Sequence, residues 1–407
     1  MSVANPTFFR ISRIFASVSL AFGMSNVALA ESGGFTQALT GGKASVDARL
    51  RYENVDQDNA LKNANAFTAR LRLGYKTGDF AGFGGYVEAE HVSTLGGGGY
   101  NSTTNGETKY SVVADPESTE MNQAYLSYSG LSGTVVKYGR QRIKFDNDRF
   151  VGNVGWRQNE QTYDAFSLVN SSLSDTIISV AYITNVNRVF SDKSSSGNFQ
   201  MSSPVFNVKY SGFGFGTLVG YAYLLDFDSI QAMSTQTYGL RFNGSMPVGA
   251  VDALYTAEVA KQRDYKDNPG DFSLSYYRFE GGVGLSGMQF KLGQEKLGSN
   301  GIVAFQTPLA TLHAMNGWAD QFLTTPVGGL KDSYISADAM VKGVKLGAIY
   351  HDFRADKGGS KYGSEWDFVA TKKIGDNYTV GAKYARYAAN SLSVDTSKIW
   401  LWVDAKF

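Results

Sequence analysis

The chain closes on Ile399-Trp400-Leu401-Trp402-Val403-Asp404-Ala405-Lys406-Phe407, a two-residue alternation that runs to the final position. Ile399, Leu401, Val403, Ala405 and Phe407 fall on one face of an extended strand. Lys398, Trp400, Trp402, Asp404 and Lys406 fall on the other, because successive side chains of a strand point to opposite sides. A last strand has no later element to cover its open edge. Pairing with an early strand satisfies its N–H and C=O groups and closes a barrel. A soluble sandwich can also finish this way, so the decision rests on what precedes it.

Working back to the amino terminus, Arg10 and Arg13 form a basic region, Ile14 to Met24 a short apolar core, and Ala28-Leu29-Ala30 a small-x-small cleavage site before Glu31. That order predicts a cleaved signal peptide over 1–30 and an exported domain over 31–407. No stretch reaches the ~18 uninterrupted apolar residues of a membrane helix. The sequence holds 46 Gly, 24 Tyr and 26 Phe but 7 Pro and no Cys, so no disulfide framework holds the exported chain together. A mean hydropathy of -0.22 suits a barrel, in which every second residue faces a polar lumen. A formal net charge of +1 argues against a nucleic-acid binder.

From Gly42 onward, segments of alternating residues repeat. In one, Val46, Ala48, Leu50 and Tyr52 oppose Asp47, Arg49, Arg51 and Glu53; in the next, Phe67, Ala69, Leu71, Leu73 and Tyr75 oppose Thr68, Arg70, Arg72 and Lys76. A period of two, not 3.6, makes these strands. Short connections such as Ser286-Gly287 and Lys342-Gly343 alternate with long polar ones: 54–65, 94–117, 146–159, 188–203, 264–271 and 298–328. The pattern predicts an all-β, transmembrane, antiparallel up-and-down β-barrel of about eighteen strands, with short periplasmic turns and long extracellular loops. Tyr52, Tyr75, Tyr128, Tyr210 and Tyr384 are expected near strand ends, in interfacial girdles. The 298–328 and 94–117 loops are the candidates for folding inward.

The most specific local stretch is Tyr138-Gly139-Arg140-Gln141-Arg142, followed by Phe145-Asp146-Asn147-Asp148-Arg149-Phe150-Val151-Gly152, Trp156-Arg157-Gln158-Asn159 and Thr162-Tyr163-Asp164-Ala165. It resembles the signature of the alginate-export family of outer-membrane barrels. The detailed likeness spans roughly 120–166, and the strand rhythm of the whole chain agrees with it. The resemblance implies an eighteen-stranded, porin-like or polysaccharide-export channel. The final strand likewise resembles the signal through which the barrel-assembly machinery reads a terminal residue such as Phe407.

If the apolar set of each strand faces lipid, the other set lines a pore. That set includes Asp47, Arg49, Arg51, Glu53, Arg70, Arg72, Glu88 and Glu90. Arg140 and Arg142 are read as sharing the inward face, with Asp164 beside them as a positioning partner through the resemblance. Further round come Lys209, Arg241, Glu258, Arg278, Glu280, Lys291, Asp338 and Lys383. Arginine and lysine in a pore favour anions, and the guanidinium fork grips carboxylates. Arg49, Arg51, Arg70, Arg72, Arg140, Arg142, Arg241 and Arg278 are therefore the expected substrate path, with cross-strand ion pairing as the structural alternative.

His91, His313 and His351 have no metal-ligand spacing and read as ordinary surface or pore residues. Asp146-Asn147-Asp148 lacks the glycine and distal acid of a calcium loop. No cofactor, metal or catalytic Ser/His/Asp arrangement is legible. The sequence thus points to a monomeric, non-enzymatic channel in the bacterial outer membrane, surrounded by lipid and lipopolysaccharide, for anionic sugars such as alginate or small carboxylates. A general or nutrient-uptake porin is the alternative. A barrel enzyme would need His313 or His351 beside an acid and a nucleophile.

Overall fold

A computed structural model describes residues 34–407; the expected signal peptide, 1–30, lies outside them. Eighteen strands follow in order. The first nine are β1 (Lys43–Gln57), β2 (Ala64–Lys76), β3 (Phe83–Thr94), β4 (Ser118–Leu131), β5 (Thr134–Gln141), β6 (Thr162–Asn170), β7 (Thr176–Asn187), β8 (Asn198–Phe213) and β9 (Gly216–Leu225). The rest are β10 (Thr235–Val248), β11 (Val251–Asp264), β12 (Ser273–Leu285), β13 (Met288–Leu297), β14 (Leu330–Val341), β15 (Val344–Arg354), β16 (Lys361–Ile374), β17 (Tyr378–Ala389) and β18 (Thr396–Lys406). Each pairs antiparallel with its chain neighbour, and β1 pairs with both β2 and β18. Arg49 opposes Asp404 and Leu50 opposes Val403 across the closing seam, which leaves the terminal strand no free edge.

The alternation read from the sequence sets the two faces. On β18 Leu401 is 51% exposed, toward lipid, whereas Trp400 is 0% exposed, toward the lumen. Ser286-Gly287 and Lys342-Gly343 take positive φ at both positions, the two-residue hairpin geometry whose twist matches the strands it joins. All such short turns lie at one rim. The other rim carries the long loops, of which 95–117, 142–161 and 298–329 are the longest.

Two details depart from the expectation. A six-residue helix, α1 (Phe35–Thr40), precedes β1. It is fastened beneath the β2–β3 turn, where Gly78 N–H donates to the Ala38 carbonyl (2.8 Å) and Tyr75 Oη to the Leu39 carbonyl (2.6 Å). Six residues are too few to register as a periodic signal. Tyr384 stands in mid-strand, stacked near Phe368 (6.5 Å), and so belongs to no girdle.

Candidate pore and its inner plug

The three longest loops fold into the lumen and lock together. Gly152 N–H donates to the Leu309 carbonyl (2.9 Å) and Thr311 N–H to the Asp148 carbonyl (2.9 Å), which joins the β5–β6 loop to the β13–β14 loop. Phe150 packs on Tyr221 (5.0 Å), Tyr276 (5.4 Å) and Phe305 (6.2 Å), giving the plug an apolar core against β9 and β12. The 298–329 and 95–117 loops are the two expected inside. The β5–β6 loop joins them, and it carries the family-like stretch.

Charge ties this plug to the β1–β2 wall. Arg51 is buried against Asp115 of the β3–β4 loop and donates to the Trp156 carbonyl. Arg157 bridges to Glu53 (3.0 Å) and Asp320 (3.3 Å). Arg72 pairs with Glu90 and with Glu160 (3.5 Å), and Arg70 with Asp47 (2.5 Å). Arg49 pairs with Asp404 (2.7 Å) and donates to the Gly155 and Trp156 carbonyls. Burial works against charge on Asp115, yet Arg51 and Arg157 hold its carboxyl below the usual range. Glu160 is likewise opposed by burial and held low by Arg72 and Arg142. These four arginines of β1 and β2, expected as an open ladder, are therefore neutralised anchors. Asp404, Asp47 and Glu90, the partners of Arg49, Arg70 and Arg72, stand on neighbouring strands, as the cross-strand alternative expects; Asp115 and Glu160, which meet Arg51 and Arg72, arrive from loops whose inward path strand periodicity does not encode.

Arg140 and Asp164 need a larger correction. Arg140 opposes Ala124 just as Tyr138 opposes Leu126, and Asp164 shares its face with Phe166. Tyr138 and Leu126 are 70% and 69% exposed, so this face points outward. Arg140 grips Asp164 through Nε–Oδ1 (2.8 Å) and Nη2–Oδ2 (3.1 Å), and Asn187 donates to Oδ1 (3.1 Å). The pair sits outside the barrel near the long-loop rim, away from any pore. Arg142 does not share its face. Strand β5 ends at Gln141, the chain turns inward, and Arg142 meets Glu88 (2.6 Å) and Glu160 in the lumen.

Across the lumen, nine strands from β1 in the closed order, the wall is different. An open cavity of about 600 Å³ at the short-turn end is lined by Arg241, Arg278, Lys291, Glu280, Asn147 and Thr256, among others. Arg278 donates to Glu280 (3.0 Å) and to Tyr334 Oη (3.1 Å), and Lys291 lies 3.5 Å from Glu280. Arg241 opposes Glu258 across the sheet, and its Nε is buried without a partner, as are Arg51 Nε and Arg70 Nε on the other wall. Arg241 and Arg278 are the two predicted arginines brought together in an accessible space.

The histidines divide three ways. His91 meets Thr119 (2.7 Å) at an exposed position. His351 is buried beside Asp332 (2.9 Å), with Asp367 3.6 Å from its other nitrogen. His313 is buried inside the plug, paired with Asp320 (2.7 Å) and stacked on Trp156 (5.0 Å). Both buried histidines do stand beside an acid, but the second nitrogen faces Lys383 or Asp367, not a hydroxyl nucleophile. Among the described residues no group of three or more His, Asp and Glu side chains is placed to hold a metal ion. Asp146 accepts from Asn207 (2.8 Å) and Asp148 pairs with Lys144 (3.0 Å), a hydrogen-bonded loop.

No curated protein sequence matches the chain. Solved structures do match in fold. Acinetobacter baumannii OccAB4 aligns with a TM-score of 0.74 at 13% identity, covering 90% of this chain and 98% of that one. Pseudomonas aeruginosa OccK9 (OpdG) gives 0.74 at 12%, covering 91% and 99%. The P. aeruginosa outer membrane protein opdK gives 0.70 at 15%, with coverage of 91% and 99%. The family model described as Alginate export matches residues 39–267, more than half the sequence. That match places the chain in the alginate-export family, and its closed eighteen-stranded sheet makes it a porin-like barrel of the bacterial outer membrane.

Proposed function

We propose that the barrel is a passive channel that passes anionic oligo- or polysaccharides, or related small carboxylates, down their own gradient. The observation that carries this reading is the basic cavity at the short-turn end, where Arg241, Arg278 and Lys291 outnumber the single carboxylate of Glu280. Arg278 and Lys291 keep 20% and 27% of their side chains exposed there, and a cavity of about 600 Å³ accommodates a few sugar residues at a time. Weak, repeated contacts of this kind suit conduction, because a group held too firmly does not leave. In the same reading, 1–30 is removed on export, Phe407 is the terminal residue read during insertion, and the barrel works as a monomer.

Liposome swelling tests it. Vesicles carrying the purified barrel should swell faster in short oligouronates than in neutral oligosaccharides of equal length. Equal rates for the two would leave a general porin. That second reading draws on Glu258 and Glu280, which partly balance the cations of the same wall.

A further inference from the structure

Lys383 points from β17 into the lumen, where its Nζ lies 3.8 Å from the ring centre of Trp318, 4.4 Å from Trp156 and 5.8 Å from Trp400. These rings come from the β13–β14 loop, the β5–β6 loop and the barrel wall. Trp402 adds its edge to Trp156 (5.3 Å), so four of the five tryptophans of the sequence gather here. An ammonium over indole faces is attracted by the ring quadrupole, most strongly where water is excluded. The nearest polar partner is His313 Nε2, at 3.1 Å. His313 Nδ1 is committed to Asp320 Oδ1 (2.7 Å), so Nδ1 carries the proton and Nε2 accepts from Lys383.

We propose that this cage is a latch: Lys383 holds both loops in the lumen as one plug, and protonation of His313 at Nε2 releases it and opens the channel. The imidazolium loses the acceptor and stands as a second cation against Lys383. The inference rests on the barrel being a channel, but not on its preferring anions.

Every group facing His313 works in the same balance. Asp320 on its own loop favours the proton; Lys383 of β17, Lys398 of β18 and Arg157 of the β5–β6 loop oppose it. Glu365 and Asp367 of β16 take the backbone N–H groups of Ala319 (2.6 Å) and Trp318 (3.2 Å), docking the loop beside the cage. Burial pushes the docked imidazole down from 6.5 to about 3, and Lys383 adds to that against the pull of Asp320. An undocked imidazole keeps its ordinary value. Between those limits the free loop binds a proton that the docked loop refuses, so docking weakens about tenfold for each pH unit below 6.5.

The experiment is single-channel conductance of the full-length protein in a planar bilayer, with KCl as the probe, titrated from about pH 8 to about pH 4. The wild type should be mostly closed when neutral and open progressively below about pH 6.5. Lys383→Met and Trp318→Ala should be open already at neutral pH, with a flattened profile, and Lys383→Arg should stay closed. Heat-modifiable migration reports whether each variant folds. If Lys383→Met does not, Trp318→Ala decides, because its ring belongs to a loop and not to the wall. Wild-type conductance and pH profile in the folded variants would overturn the latch. Selectivity plays no part in this readout, so a failed uronate experiment leaves it standing.

Discussion

On the β1–β2 wall, Arg49, Arg51, Arg70 and Arg72 each meet a carboxylate, and the loops that supply Asp115 and Glu160 fill the space in front of them. On the β10–β13 wall opposite, Arg241 and Arg278 look into a cavity of about 600 Å³. Residue type and strand position are alike in the two places; what differs is what stands across from them. A buried pair spends its charge on a neighbour and holds structure. An arginine left facing water keeps a field that an ion can feel. The first wall is the seat of the plug, and under the proposed function the second is the source of selectivity.

The largest effect that tests this contrast should come from Arg51→Met. It leaves the buried Asp115 and Glu53 to share Arg157 alone, and removing one partner of such a cluster typically costs about 3–5 kcal/mol. Denaturant unfolding in detergent should reveal that loss; a loss under about 1 kcal/mol would mean that the wall does not hold the plug.

Acid should come next. Asp115 and Glu160 have folded values below their ordinary 3.8 and 4.5, so their stabilisation is complete above those figures and is lost as pH falls through the folded ones. Each unit of depression is worth about 1.4 kcal/mol. Proteolysis of the 142–161 loop should accelerate further in that window, beyond the rise that release of His313 gives from about pH 6.5 downward. Acceleration confined to alkaline pH would contradict the sign.

Arg278→Gln should change unfolding by less, about 1–2 kcal/mol, since Lys291 (3.5 Å) and Tyr334 Oη (2.8 Å) stay with Glu280 when the guanidinium is gone. A cost like that of Arg51 would erase the distinction between the walls. Arg140→Ala should do least, within about 1 kcal/mol and with no change in ion selectivity, because its pair is about a third exposed and lies outside the barrel. A changed reversal potential in this variant would return it to the pore.

The barrel was legible because lipid enforces alternation. Leu50, Phe67 and Leu401 are outward, as their period required, and the pairing of β1 with β18 follows from a terminal strand that needs a partner. The plug was legible only as two candidate loops, 94–117 and 298–328, and not in its contacts. Trp156, Glu160, His313 and Asp320 lie in loops with no period, and their meeting depends on contacts across more than a hundred residues. The one available sign was that Trp156-Arg157-Gln158-Asn159 is too aromatic and charged for an idle outer loop. Arg140 shows where alternation was set aside. It shares the face of Tyr138, and the outward face near the long-loop rim can carry an ion pair that the hydrocarbon region rejects. Arg142 shows where alternation ends, at Gln141, the last residue of β5.

The most direct test of the two-wall account is the reversal potential of the purified barrel in a planar bilayer under a KCl gradient. The wild type should prefer anions, and Arg241→Ala combined with Lys291→Ala should abolish that preference while leaving unfolding within about 1 kcal/mol of wild type. An anion preference that survives this double substitution, or a wild type with none, would contradict the assignment of selectivity to the open wall.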